Sequence, residues 1–591
     1  MNDTPTVQTE KGRRVIESVP VLHPFLLALY PVLGLYAYNQ ERTLFSAVLR
    51  PGLMLVAAAF VLWLALGAVM RNSYKAGVVT SLIVVAATSG WNVLEYGMAT
   101  VMTGISGHSA ILYYLAFGLA AAGGTAALVW YSKSSAWHSI RLAALIVLAA
   151  AALLYLGDLI LAPIFERGPA WAMLAYAVCV GLALLAISGW PGELRRATST
   201  LNIFGVILLV LSGANILINR PAATAVEHPA PPAPPAPAEV APSGPRPDVW
   251  FIAVDGYARA DVMASLYGYN PQPFAASLNE RAFTHVPRST ANYGVPIEAL
   301  ASCLNMQYLH EINGGGRDAM PLHTMAAWYH ENSVSAYLRG AGYDTYASAP
   351  PQELLKPRGD DKRVLDSRLL PTEFEVVLLE GTVASRLLQA THYIRHRSLA
   401  ELRHIVSRAR IEAKLQSMRE LAATPPDGAP RFIQAYLSVP NVPFLFDRDG
   451  GWPESVGLYS YGGRALFRGG MAEYQEGYTE QVYWFNAEML ALIDIILEHA
   501  ETPPIILLVS LHGPTGPPGG TPEQQDLMLT QRFLNFTALH LPGEPEVPRD
   551  LSPVNLFRFV FNEYMGLEYP LLPNHRYISH GVAASQFERL P

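Results

Sequence analysis

Apolar positions follow two regimes along the chain. Up to residue 220 they run in long blocks, near 21–39, 52–70, 77–97, 108–131, 141–162, 169–190 and 200–219, with few charges inside them. A bilayer-spanning helix needs roughly 20 apolar residues, so the pattern predicts about seven spans, or six if one short block is re-entrant or interfacial. The first block is too long, and followed by too many others, to read as a cleavable signal. From residue 248 the apolar runs shorten to strand length and alternate with amphipathic stretches, which predicts an α/β domain whose mostly parallel sheet is covered by helices. Between the regimes, residues 221–247 read PAATAVEHPAPPAPPAPAEVAPSGPRP. That composition has no apolar period and predicts an extended, polyproline-like tether. The expected organisation is therefore an all-α polytopic membrane bundle over 1–220, a linker over 221–247, and a globular domain over 248–591.

Lys and Arg set the orientation. With the N-terminus inside, the cytoplasmic segments hold Lys11, Arg13, Arg14, Arg71, Lys75, Lys133, Arg141, Arg195 and Arg196, against Arg42, Arg50, Arg167 and Arg220 on the other side. The asymmetry predicts a cytoplasmic N-terminus, and an odd number of spans then places the C-terminal domain outside. Composition agrees with a chain partly in lipid, at 51% hydrophobic and 15% charged over 591 residues. A net charge of -7 offers no basic excess to offset a phosphate backbone, so nucleic acid is not an expected partner. The two cysteines, Cys179 and Cys303, do not make a disulfide framework and do not identify the compartment.

Three apolar runs of the C-terminal region end on polar residues. DVWFIAVDGY reaches Asp255, RFIQAYLSVP is followed by Asn441, and PPIILLVSLHG reaches His512. In open α/β sheets, ligands bind beyond the carboxyl ends of the strands, so these three residues are expected to converge. Val482, Phe485, Met489, Leu492, Ile493 and Ile496 form one helical stripe, for which a structural core is sufficient reason. The stretch 398–421 sets Arg403, Arg408, Arg410, Lys414 and Arg419 opposite Leu402, Ile405 and Leu415. A solvated basic face is the expectation there, with adsorption to anionic lipid as the alternative.

The stretch IAVDGYARADVMASLYGYN, an acid at a strand end followed by Gly, Tyr, Arg and a second Asp, resembles the opening signature of the sulfatase and alkaline-phosphatase superfamily. With ALASCLNMQYL, ENSVSAYLRGAGYDTYAS, SVPNVPFLFD, SLHGPTG and LSPVNLFRFVFNEYMG, residues 248–579 look like the sulfatase-like domain of bacterial membrane proteins related to lipoteichoic acid synthases and phosphoethanolamine transferases. The resemblance implies that Asp255 binds a divalent metal, and that a hydroxyl or thiol-derived nucleophile lies in or near RSTANYGVPIEALAS. Such chemistry needs a nucleophile, a cation to polarise phosphate or sulfate oxygens, and carboxylate and imidazole ligands to hold that cation.

Position by position, those requirements fail. Aligned as a membrane transferase, the nucleophilic threonine falls at Pro296; aligned as a sulfatase, the cysteine falls at Gly294. Thr290 and Ser302 are candidate substitutes, with Ser289 and Cys303 nearby, although loop and helix hydroxyls ordinarily bond to backbone. Relatives place histidine where this chain has Asn441, and an acid where it has Leu511. Asp255 and His512 remain as a vestigial metal pair, and Asp255 has a structural use in receiving backbone N–H bonds at the next helix. No cofactor is expected; a divalent ion (Mn, Mg, Zn or Ca) is implied only if activity survives.

Glu95 and Asp158 lie in or beside predicted spans, where an interfacial position explains them better than a transport pathway. The leading expectation is a catalytically degenerate, membrane-anchored sulfatase-like protein of the bacterial plasma (inner) membrane. It would bind or organise envelope glycan or lipid intermediates, or a partner enzyme, with membrane lipids around its spans. An active transferase or hydrolase of phospho- or sulfo-esters is the alternative, and a transporter-like bundle a further one. For the topology, reporter fusions should place the linker outside and Lys133 inside; a cytoplasmic linker would overturn both the orientation and any envelope role.

Overall fold

The computed structural model describes residues 19–88, 194–219, 246–312, 320–348, 370–382, 401–460, 466–517, 521–580 and 584–590, with scattered residues between. The chain divides into two units, one mainly of residues 1–220 and the other mainly of residues 221–591.

The first unit contains α1 (His23–Asn39), α2 (Ser46–Met70), α3 (Ser73–Thr88) and α4 (Arg195–Ile218). Helices α2 and α4, of 25 and 24 residues, are long and apolar enough to cross a membrane. At 1.5 Å per residue, α2 extends about 37 Å. Both helices turn large apolar side chains outward, among them Leu53, Met54, Val61, Val210 and Leu217. Inward they bury small residues: Gly52 and Ala59 on α2, and Thr198, Gly205 and Ser212 on α4. Without water to drive apolar faces together, helices in lipid associate through such small residues, which let their backbones approach. A Cβ on Gly205 would stand 2.9 Å from Leu26 Cβ, so α4 meets α1 there only because position 205 has no side chain. The N-terminal amides of α1 have no side-chain cap of their own. Asn202 of α4 supplies one: its Oδ1 accepts from the N–H of Leu22 (3.1 Å) and of His23 (2.8 Å), while its Nδ2 donates to Pro20 O. The expected spans 108–131 and 141–162, nearly all of 169–190, Glu95, Asp158, Cys179 and most of the linker lie outside the described residues.

In the second unit seven strands form one sheet: β1 (Val249–Asp255), β2 (Phe283–His285), β3 (Asp344–Ala347), β4 (Lys362–Val364), β5 (Arg431–Pro440), β6 (Ile505–Ser510) and β7 (Thr537–His540). The order across the sheet is β2-β7-β6-β1-β5-β3-β4. From β6 to β4 every neighbouring pair is parallel, and only β7 runs against its neighbours β6 and β2. Strand side chains alternate between faces, so a strand covered on both sides must be apolar throughout. All of β1 is buried: Val249, Phe251 and Ala253 join one core, and Trp250, Ile252 and Val254 the other. The first core is closed by α5 (Pro296–Asn305) and by Leu556, Phe557, Val560 and Phe561 of a helix spanning Pro553–Met565. The second is closed by α6 (Leu402–Ala423) and α7 (Met471–His499). The stripe Val482, Phe485, Met489, Leu492, Ile493 and Ile496 lies wholly in that second core, as its spacing requires.

Helix α6 corrects one expectation, because its basic residues face protein rather than solvent or lipid. Arg403 and Arg410 approach Glu373 at 2.9 and 3.7 Å, Arg419 pairs with Glu488, and Lys414 Nζ donates to Tyr436 O. Arg408 donates to the carbonyls of Leu445 and Gly451 and stacks on the rings of Phe446 and Trp452. Charge spacing alone could not separate this case from a wetted face, since the partners are remote in sequence: Glu373 before the helix, and Tyr436, the 445–452 loop and Glu488 after it. Arg408→Met should therefore destabilise the domain by about 2–4 kcal/mol in chemical denaturation, through orphaned carbonyls in the 445–452 loop.

Candidate functional site

Three adjacent parallel strands, β5, β1 and β6, deliver their carboxyl ends to one place, and the backbone ties those ends together. The N–H of Asn441 donates to Asp255 O (2.8 Å), and that of Leu511 donates to Val254 O (2.9 Å). Ser510 adds two further ties: its Oγ accepts from Tyr257 N at 2.9 Å, and its carbonyl accepts from Asn535 Nδ2 at 2.7 Å. The chain turns sharply at Gly256, whose φ of 75° suits glycine. A Cβ there would come within 2.6 Å of Asn441 Cβ, so the turn and the approach of β5 both require its absence.

Asp255 is only 6% exposed. Its Oδ2 accepts from the Tyr436 hydroxyl at 3.0 Å, and its Oδ1 lies 2.6 Å from His512 Nε2. The other ring nitrogen, Nδ1, donates to Gly513 O at 2.6 Å and fixes the imidazole. Burial pushes the Asp255 carboxyl upward. The charge and hydrogen bond of His512, with hydrogen bonds from Tyr436 and Asn441, outweigh burial and hold it below the usual carboxylate range.

The donor set does not fit a divalent metal. Ligand atoms around a Zn²⁺ or Mg²⁺ ion at about 2.0–2.2 Å stand about 3 Å or more apart, whereas Asp255 Oδ1 and His512 Nε2 are already at 2.6 Å. Leu511 is fully buried in the first core with Val509, Ile297 and Leu300 and offers no lone pair. Asn441 Oδ1 faces the Thr515 hydroxyl at 3.5 Å. Among the described residues, no group of three or more His, Cys, Asp or Glu side chains is placed to hold a metal ion.

The nucleophile region is equally committed to structure. Pro296 is the first residue of α5, and Gly294 O accepts from Arg532 Nε at 2.7 Å. A Cβ on Gly294 would lie 3.0 Å from that same nitrogen, so any side chain at 294 displaces Arg532. Ser289, fully buried, shares its hydroxyl with Asn535 and Thr537. Thr290 bonds back to Arg288 O, and Ser302 donates to Gln307 O at 2.6 Å. Cys303 is a buried free thiol whose pKa burial raises far above the range of a reactive cysteine. Every hydroxyl and thiol considered from sequence thus has a local structural use.

Two residues of the site escape a reading of the sequence. Tyr436 sits inside a buried strand, where an aromatic suggests packing; only the register against β1 turns its hydroxyl to Asp255. Arg532 ends a helix that runs mostly exposed from Pro522, and nothing local separates it from a surface arginine.

No family model and no curated protein matches the chain. Solved structures do. The C-terminal periplasmic domain of EcEptC from Escherichia coli is similar at 14% identity over 60% of this chain and 96% of that one, with a TM-score of 0.37, and a complex of it with Zn gives the same figures. The integral membrane lipooligosaccharide phosphoethanolamine transferase A (EptA) from Neisseria meningitidis is similar at 10% identity over 79% and 91% of the two chains, with a TM-score of 0.34. A candidate sulfatase from Bacteroides thetaiotaomicron is similar at 11% identity over 55% and 72%, with a TM-score of 0.32. These are the groups that the strand-end motifs resemble. At such TM-scores they carry no argument of their own, and the α/β assignment stands on the sheet order and strand directions.

Leu511→Asp restores one acid without the rest of a site. It should destabilise the domain by roughly 1–3 kcal/mol in chemical denaturation and yield no ester turnover, since the new carboxylate is buried without a cation. Gain of turnover or of stability would show that the site still accepts a metal.

Proposed function

We propose that this chain is a multi-pass, membrane-anchored, sulfatase-like protein of the bacterial inner membrane that has lost catalysis. Its N-terminus is cytoplasmic and its C-terminal domain extracytoplasmic, where it binds or organises envelope glycan or lipid intermediates or a partner enzyme. The observation that carries the reading is the contact between Asp255 and His512 at 2.6 Å, with fully buried Leu511 beside them. An acid and an imidazole in direct contact, with no third charged ligand described nearby, form a structural pair rather than a cation cage. The lack of a side chain at Gly294 and the ring at Pro296 support the same reading, because neither can attack a phosphate or sulfate ester.

The test uses full-length protein purified in detergent without chelator. Elemental analysis should find divalent metal far below one ion per chain, and no phosphate or sulfate should be released from ester substrates. Reproducible turnover that Asp255→Ala abolishes would sink the degenerate reading in favour of an active transferase or hydrolase.

A further inference from the structure

The last two described strands, β8 (Arg576–His580) and β9 (Ala584–Leu590), pair as an antiparallel hairpin that packs on the segment before Gly294. Tyr577 N donates to Asn292 O at 2.8 Å. The Tyr577 ring stacks on Tyr293 at 5.6 Å between centroids, and Phe587 of β9 meets the same ring of Tyr293 on edge at 5.4 Å. At the entry to the hairpin, the Tyr308 hydroxyl accepts from His575 N at 2.8 Å and donates to Pro573 O at 2.6 Å. His310, in the short helix Leu309–Ile312, lays its imidazole 4.8 Å from the Tyr577 ring and 6.0 Å from that of Tyr308. Its Nε2 faces the Tyr577 hydroxyl at 3.3 Å. Its Nδ1 is buried and, among the described residues, has no hydrogen-bond partner. Burial lowers the pKa of this ring; among the charged groups that face it, Glu311 opposes the shift, while His575 and Arg589 of β9 add to it.

We propose that His310 is a pH-sensitive latch on this hairpin: its neutral ring packs against Tyr577 and holds the hairpin to residues 292–294, and its protonation loosens that hold. The reason is geometric. A neutral imidazole can leave Nδ1 as a bare acceptor while Nε2–H meets the Tyr577 oxygen, but the charged ring carries N–H on both nitrogens, and the one at Nδ1 has no described acceptor. Burying that group unpaired is costly, whereas water pairs it once the hairpin opens. The closed form therefore binds the proton more weakly than the open form. Closure is complete above the ordinary imidazole range, near about 6.5, and weakens as pH falls below it. Because Tyr293 immediately precedes Gly294, acid loosens the packing beside the candidate site whether or not that site turns over an ester. The inference goes beyond the degenerate reading and does not depend on it.

Amide hydrogen exchange of the full-length protein in detergent tests this, read at about pH 7.5 and about pH 5.5 and corrected for the intrinsic pH dependence of exchange. Protection of β8 and β9 in the wild type should fall roughly three- to tenfold on acidification, the upper limit being set by one proton taken up per opening. His310→Phe, which keeps a ring on Tyr577 but does not protonate, and His310→Gln should each hold the change below about twofold. His580→Gln, which removes the exposed His580–Glu588 pair of the same hairpin, should respond as the wild type does. A wild type without the fall, His310 variants that keep it, or a His580 variant that abolishes it would each overturn the latch. If neither His310 variant folds, the wild type decides alone. Loss confined to the hairpin with a midpoint below about pH 6.5 supports the latch, and a higher midpoint, or a uniform loss that includes β1, β5 and β6, overturns it.

Discussion

A carboxylate taken almost fully out of water has to find its compensation within the protein, and the loops around β1 are organised by that requirement at Asp255. The side chain meets Tyr436 from β5 on one oxygen and His512 from the end of β6 on the other. The backbone beside it closes onto Asn441 and Leu511. The partners come from the two strands that flank β1, so the site depends on the parallel sheet holding three strand ends in register. The sheet in turn depends on two apolar layers that bury both faces of β1. Solvation of one acid therefore links the cores, the register and the strand-end loops.

On the degenerate reading proposed above, the strand ends keep a scaffold and replace ligands with packing. Leu511 extends the apolar face of β6 by one residue and joins the first core, where an acid would add no packing. Gly294, without a side chain, leaves room for Arg532, whose Nε donates to its carbonyl. Catalytic groups are commonly held at some expense to stability, and their replacement by packing and internal pairing runs in the direction that stability favours.

Much of this was legible in the sequence because it lies in periods and strand ends. Asp255, Asn441 and His512 each follow an apolar run, and in the structure they meet across three adjacent strands. The stripe from Val482 to Ile496 read as core for the same reason, since helical spacing and burial have one cause. Arg532 was not legible, because its place is set by backbone bonds from Gly513 to its own carbonyl and from the far more distant Ala291 to the carbonyl of Phe533. Nor were the arginines of α6, whose partners are the carbonyls of a remote loop for Arg408 and the carboxylates of Glu373 and Glu488 for the others, and whose spacing matches that of a wetted helix. What escapes in both cases is long-range pairing of charge, which leaves no period.

The cap that Asn202 places on α1 bears on how the membrane unit is made. The first helix emerges early in synthesis, but the side chain that satisfies its leading amides lies 180 positions later, on α4. Until α4 arrives, the amides of Leu22 and His23 must be served by water or lipid headgroups, and the close face at Gly205 has nothing to meet. Helix α1 therefore has its N-terminal amides capped and its close face at Gly205 filled only once α4 is in place, so two segments far apart in sequence complete one packing unit.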